Sequence, residues 1–209
     1  RILSVGTLGL KKDRKLVPTK WSITATDDII GKNLINEIKD FSEINSHYSF
    51  FGSYLGNYYL ILMFPEIWSY ELFETYVPQN WNFGKELRYT TDYESNYGRK
   101  EYAFGTVGGY YTVRLAILEK LKEMKRQASV LALRFITDEY SMPLGVWVTR
   151  EATRKSMSGK PIEFSSKELM LEYARKLVRK MFNYNADYLL NASRLFKNIK
   201  HQTKLLKFA

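Results

Sequence analysis

The chain has 209 residues, and its 45 % hydrophobic content, with 16 Tyr, 12 Phe and 4 Trp, excludes a disordered polypeptide. The absence of cysteine excludes a disulfide scaffold, a thiolate zinc site and a cysteine nucleophile, and fits an intracellular protein. The net charge of +10 is uneven: the last 35 residues hold nine Lys/Arg and one acid, which leaves 23 bases against 21 acids elsewhere. A nearly neutral body therefore carries a basic end, suited to a polyanion.

In chain order, residues 1–20 are basic and partly extended, punctuated by Pro18. Asp27 and Asp28 precede Ile29, Ile30, Leu34, Ile35 and Ile38, and this spacing predicts a helix over 28–40 with acids at its start. Segments 48–55 and 57–64 are rich in aromatic and branched residues and predict two antiparallel strands turning at Gly56. The run 58–64 is the longest apolar stretch and is far too short to cross a bilayer; no basic-then-apolar segment opens the sequence. Pro65 and Glu66 predict a helix to about 77, Pro being suited to a first helical turn.

Segment 78–107 interleaves aromatics with Gly, Asn and charges and reads as loop with one strand near 86–92. Gly108 and Gly109 lead into an amphipathic helix over 109–125. Strands are expected at 129–136 and 144–149, then a short helix at 150–156. Ser165 and Glu168 have the spacing of a capping box for a helix to 182, and a last helix is expected over 186–200. The whole predicts an α+β fold, a mainly antiparallel sheet packed with helices and ending in a helical segment. Residues 1–182 form one expected domain, and 183–209 a basic helix and tail.

Three blocks carry chemical potential. In the first, Thr19, Lys20, Trp21, Ser22 and Thr24 precede Asp27 and Asp28. The two acids can act as general base or hold a divalent metal with carboxylates such as Asp92, Glu139 or Glu151; equally, they can cap a helix. In the second, Gly108 and Gly109 open a helix whose free amides can bind phosphate, with Arg114 one turn inside; close packing explains the glycines equally well. In the third, Arg150 can clamp phosphate or pair with Glu151. With His47 and His201 far apart in sequence, no His-based metal site or triad is expected and no metal ligands are assigned.

At the end of the chain, Arg194, Lys197, Lys200 and Lys204 recur at three- to four-residue intervals, as a DNA-contacting face or a solvated one. Gln202, Leu205 and Phe208 follow as a polar hook and two apolar anchors, a spacing that docks in a hydrophobic pocket.

The blocks 17–28, 108–116 and 143–151 resemble those of the archaeal Nre-type DNA repair proteins, and the resemblance extends from about residue 14 to the C-terminus. It implies a role in DNA damage repair and binding to the sliding clamp PCNA through a C-terminal motif, here Gln202, Leu205 and Phe208. The usual motif ends in two aromatics, whereas here Ala209 follows Phe208, which implies weaker clamp binding. Many members also carry an N-terminal cysteine-rich zinc segment; this chain has no cysteine and opens on Arg1, as a piece of a longer protein would. The resemblance implies DNA and PCNA as partners, no membrane, and a nucleoid-associated place in the cytoplasm. The rival expectation is an enzyme acting on a phosphate-containing nucleic acid or nucleotide, with the three blocks on one pocket.

Overall fold

The computed structural model describes residues 5–8, 11–78, 88–141 and 144–201. Its elements in chain order are β1 (Val5–Leu8), β2 (Lys15–Pro18), α1 (Thr19–Ile38), β3 (His47–Tyr54), β4 (Asn57–Phe64), β5 (Ser69–Val77), β6 (Tyr89–Glu94), α2 (Tyr110–Met124), β7 (Ser129–Thr137), α3 (Trp147–Ser156), β8 (Ile162–Phe164), α4 (Lys167–Phe182), α5 (Asp187–Ala192) and α6 (Arg194–His201). β1 and β2 form an antiparallel ribbon, and the other strands form a mixed sheet in the order β6-β5-β7-β4-β3-β8. Within it β5 and β7 run parallel, and the remaining neighbours are antiparallel.

Strand alternation sorts the core onto two faces. Tyr59, Ile61 and Met63 of β4 and Val130 and Ala132 of β7 meet α1, α2 and α3. Leu60, Leu62 and Phe64, with Leu131, Leu133 and Phe135, meet α4, α5 and α6. The fold is α+β, with helices on both sides of the sheet. The β3–β4 hairpin turns through Leu55 and Gly56, both at positive φ, as a two-residue type I′ turn demands.

Five expectations are corrected. α1 begins at Thr19, nine residues before the expected start, and Asp27 and Asp28 lie inside it rather than at its cap. Its buried stripe starts with Thr24, Asp27 and Gly31 before Leu34, Ile35 and Ile38, so half of the stripe is not apolar. The helix expected after Pro65 is instead β5, bonded on both sides by β6 and β7. Its two acids, Glu71 and Glu74, are tolerated because each has tertiary partners. The strand expected at 144–149 gives way to α3, whose buried Val148 and Ala152 are one helical turn apart; packing overrides the β-preference of Val, Trp and Thr. The α4 cap is Ser166, which accepts from the Leu169 amide at 3.2 Å; the shift of one residue removes the expected capping box with Ser165. The last helix is broken at Ser193 into α5 and α6.

Candidate functional site

α1, α2 and α3 lie on one face of the sheet, and two chains of charge cross their contacts. In the first, Arg114 of α2 donates to Asp28 Oδ1 at 2.5 Å and to Glu94 Oε2 at 2.9 Å. Lys32, one turn further along α1, holds Asp28 Oδ2 at 2.7 Å. Glu94, at the end of β6, also accepts from the Trp68 indole at 3.1 Å. The side chains of Arg114 and Glu94 are 3 % and 0 % exposed, whereas Asp28 keeps 19 %. Burial works against the Arg114 charge, but Glu94 and Asp28 hold its pKa above the ordinary arginine value. The guanidinium also lies over the Tyr111 ring, 5.1 Å from its centroid. Gly31 makes the close approach of α1 feasible: a Cβ there would sit 3.2 Å from an Arg114 Nη.

In the second chain, Arg150 of α3 donates to Asp27 Oδ1 at 2.7 Å and reaches Glu151 at 3.4 Å. Arg154 then joins Glu151 to Glu119 of α2. Asp27 is 1 % exposed, and its Oδ2 has no hydrogen-bond partner among the described residues. Burial pushes its carboxyl above the usual aspartate value, although Arg150 pulls the other way.

Beside these helices, Asp92 shapes the approach. It accepts from the amides of Phe104 and Thr106 and is paired with Arg99 at 2.9 Å. Arg99 in turn donates to the carbonyls of Tyr93, Glu101 and Tyr102. The loop so held forms one wall of a cleft of about 840 Å³, whose other walls are Trp21, Thr24, Ala25, Asp28 and Ile29 of α1, with Val107, Gly108 and Val146. Trp21 and Tyr102 are 58 % and 57 % exposed. A second, polar hollow of about 470 Å³ shares Asp28 and Tyr102 with the first and adds Lys32, Lys39, Lys100 and Arg114.

The first and second sequence blocks thus meet at one cleft, contributing Trp21, Thr24, Asp28 and Gly108, and the third contributes Val146 to the wall and Arg150 to the support behind it. Ser22 shares α1 without lining the cleft. Gly109 is the N-cap of α2, where an added Cβ would meet Glu74 Oε1 and have to displace that carboxylate from its pair with Arg134. The amides of Gly109 and Tyr110 already donate to Thr106 O. No group of three or more His, Cys, Asp or Glu side chains is placed to hold a metal among the described residues. The acids considered as co-ligands are engaged elsewhere: Asp92 by its loop, Glu139 by the Tyr58 hydroxyl, and Glu151 by two arginines.

Arg194 and Lys197 are exposed on α6, and the Arg194 guanidinium lies 4.9 Å from the Tyr93 ring centroid. The side chains of Thr19, Lys20 and Lys200, and all of Gln202, Lys204, Leu205 and Phe208, lie outside the described residues. Sequence reasoning missed Glu94, Lys32 and Tyr102. Gly31, a bare residue inside an otherwise side-chain-rich helix, was the available signal for a close approach at Arg114.

Residues 1–82 match the archaeal Nre N-terminal family model, and residues 94–208 match the archaeal Nre C-terminal model. The chain belongs to the archaeal Nre family. It is 38 % identical over 205 residues to the DNA repair protein NreB of Archaeoglobus fulgidus, covering 97 % of this chain and 50 % of that protein. It is 38 % identical over 178 residues to NreA of the same organism, and over 161 residues to NreA of Haloferax volcanii, both named DNA repair proteins. These matches cover 85 % and 76 % of this chain, and 45 % and 38 % of the two relatives. The chain therefore spans half the length, or less, of these relatives. No solved structure matches it. The two Nre segments are interleaved in one sheet, since β7 of the C-terminal segment lies between β4 and β5 of the N-terminal one. Both charge chains also cross from one segment to the other, from Asp27 and Asp28 to Arg150 and Arg114.

Among the described residues, no helix is long and apolar enough to cross a membrane.

Proposed function

We propose that this chain forms the core of a DNA repair factor that the sliding clamp PCNA holds at DNA. The observation that carries the reading is the 38 % identity, over nearly the whole chain, to a relative named as a DNA repair protein. The clamp is engaged by Gln202, Leu205 and Phe208, and DNA phosphate by Arg194, Lys197, Lys200 and Lys204. The exposure of Arg194 and Lys197 supports the second part. So does the anchoring of their helix: the Glu71 carboxylate accepts from Ser193 Oγ at 2.5 Å and from the Leu195 amide at 2.9 Å, which fixes the start of α6 on the sheet. The protein would then work in the cytoplasm, at the nucleoid. Removing residues 202–209 abolishes capture of the clamp in a pull-down; capture that persists undiminished refutes the assignment.

A second reading is supported by the meeting of the sequence blocks at one cleft. In it the chain is an enzyme acting on a phosphate-containing nucleic acid or nucleotide. Asp28, partly exposed in the cleft wall, serves as the general base; Arg114 orients it, and Trp21, Thr24 and Gly108 line the substrate's path. Asp27 and Arg150 support α1 from behind. A divalent metal would need ligands besides the two acids. Asp28→Asn, with its fold verified, removes turnover of damaged or branched DNA; unchanged turnover refutes this reading.

A further inference from the structure

Three hollows run into one another around the β6 edge of the sheet. The apolar cleft shares Asp28 and Tyr102 with the polar hollow. That hollow shares segment 97–101 with a third, of about 700 Å³, which reaches Arg194 at the start of α6. The path therefore leads from Trp21 on one helical layer, past the sheet edge, to the basic helix of the other.

Its charges are uneven. Three acids in its walls are already neutralised inside the protein: Asp28 by Arg114 and Lys32, Glu94 by Arg114, and Asp92 by Arg99. Two further acids line it: Glu71, which is buried and accepts from Ser193 Oγ and the Arg194 and Leu195 amides, and Glu101, which like Lys39, Lys100 and Arg194 has no salt bridge among the described residues. The balance left facing solvent is positive. Exposed rings alternate with these cations: Trp21 and Tyr102 at the apolar cleft, and Tyr97, 96 % exposed, where the second and third hollows meet.

Exposed rings beside cations that no acid neutralises suit a polyanion whose bases are free to leave their stack. In a duplex each base face is covered by its neighbours, so the aromatic cleft would have nothing to take. From this alternation we infer that the groove binds single-stranded DNA, one base entering between Trp21 and Tyr102 while the backbone runs past Lys39 and Lys100 toward Arg194. The choice of DNA rests on the repair reading above; the preference for an unpaired strand rests on the groove alone.

The test is fluorescence anisotropy of the full chain with a labelled single strand of about 12 nucleotides, a length within the range that such grooves cover. Trp21→Ala and Tyr102→Ala each weaken binding by about tenfold or more, the loss expected for one stacked base, and leave the salt dependence unchanged. Lys39→Gln combined with Lys100→Gln instead flattens the slope of log affinity against log salt, by about 0.7 for each phosphate no longer neutralised. Thermal melts of the variants confirm that the fold is retained. Equal affinity for a blunt duplex overturns the inference. So does a mononucleotide that binds as tightly as the strand, which would mark a free-nucleotide site, or unchanged binding by Trp21→Ala. Capture of the clamp by the same preparation separates the two claims: a chain that holds PCNA but no single strand refutes the groove and leaves recruitment standing.

Discussion

Arg114 and Asp28 stand 86 positions apart in sequence and 2.5 Å apart in the fold. Among the described residues, Arg114 is also the one cation that balances Glu94, which has no exposed side-chain surface. Removing it strands a fully buried carboxylate as well as loosening α1 from α2. Arg114→Met should therefore cost about 3–5 kcal/mol of unfolding free energy, the range seen when one member of a buried pair is deleted. Adding Glu94→Gln should recover part of that loss by removing the stranded charge. Urea denaturation of both variants checks the order; a single variant as stable as the wild type contradicts it.

Asp27 gives a pH signature with a definite sign. Its carboxyl is held above the ordinary 3.8, chiefly by burial. The folded protein thus keeps this proton to higher pH than the unfolded chain does. The stabilisation linked to the proton is complete below the unfolded value and is lost as pH rises through the folded one. Asp27→Asn has no such proton to lose. Its stability relative to wild type should therefore improve as pH climbs from below 3.8 toward neutrality, whatever the offset from losing Arg150. Chemical denaturation at a series of pH values reads this directly; parallel profiles would show that Asp27 titrates normally.

Glu71 ties α6 to β5. Its carboxylate accepts from one hydroxyl and from the amides of Arg194 and Leu195. Glu71→Ala leaves these donors without their acceptor, at about 1–3 kcal/mol for each that stays buried and unpaired. Hydrogen exchange at Arg194 and Leu195 should accelerate, while the amides of α4 remain protected. Unchanged exchange at these two amides would mean that α6 is held by its apolar contacts alone.

The two glycines before α2 should respond differently to a methyl group. At Gly109 the added carbon meets Glu74, whose Oε1 is bonded to Arg134 at 2.5 Å, so Gly109→Ala should cost about 1–3 kcal/mol through overpacking. At Gly108 the nearest described atom is Val146 Cγ1, at 3.3 Å, which can give way, and Gly108→Ala should cost less. Thermal melts rank the two; the reverse order would place the tight contact at Gly108.

How far the fold was legible depended on where partners came from. The β3–β4 hairpin and α2 could be read locally, because Gly56 and the spacing of Leu115, Leu118 and Leu121 carry their own signal. β5 could not, since Glu71 and Glu74 are acceptable in a strand only because Ser193 and Arg134, distant in sequence, meet them. The first half of α1 was hidden for the same reason: its buried face begins with Thr24, Asp27 and Gly31, and Asp27 is tolerated because Arg150 reaches it from α3. Asp27, Asp28, Arg114 and Arg150 stood out by residue type, but their pairing depends on contacts between the two halves of the chain. Glu94 and Tyr102 had no distinguishing local pattern, and only the fold brings them to Arg114 and to the cleft.

Recruitment by the clamp is the central claim, and calorimetric titration of PCNA into the full chain tests it most directly. The wild type should bind with unit stoichiometry per clamp subunit, and Leu205→Ala combined with Phe208→Ala should abolish the heat. Ala209→Phe, which restores a second terminal aromatic, should tighten binding, by about 1.4 kcal/mol if the gain is tenfold. Full binding by the double variant would contradict the account.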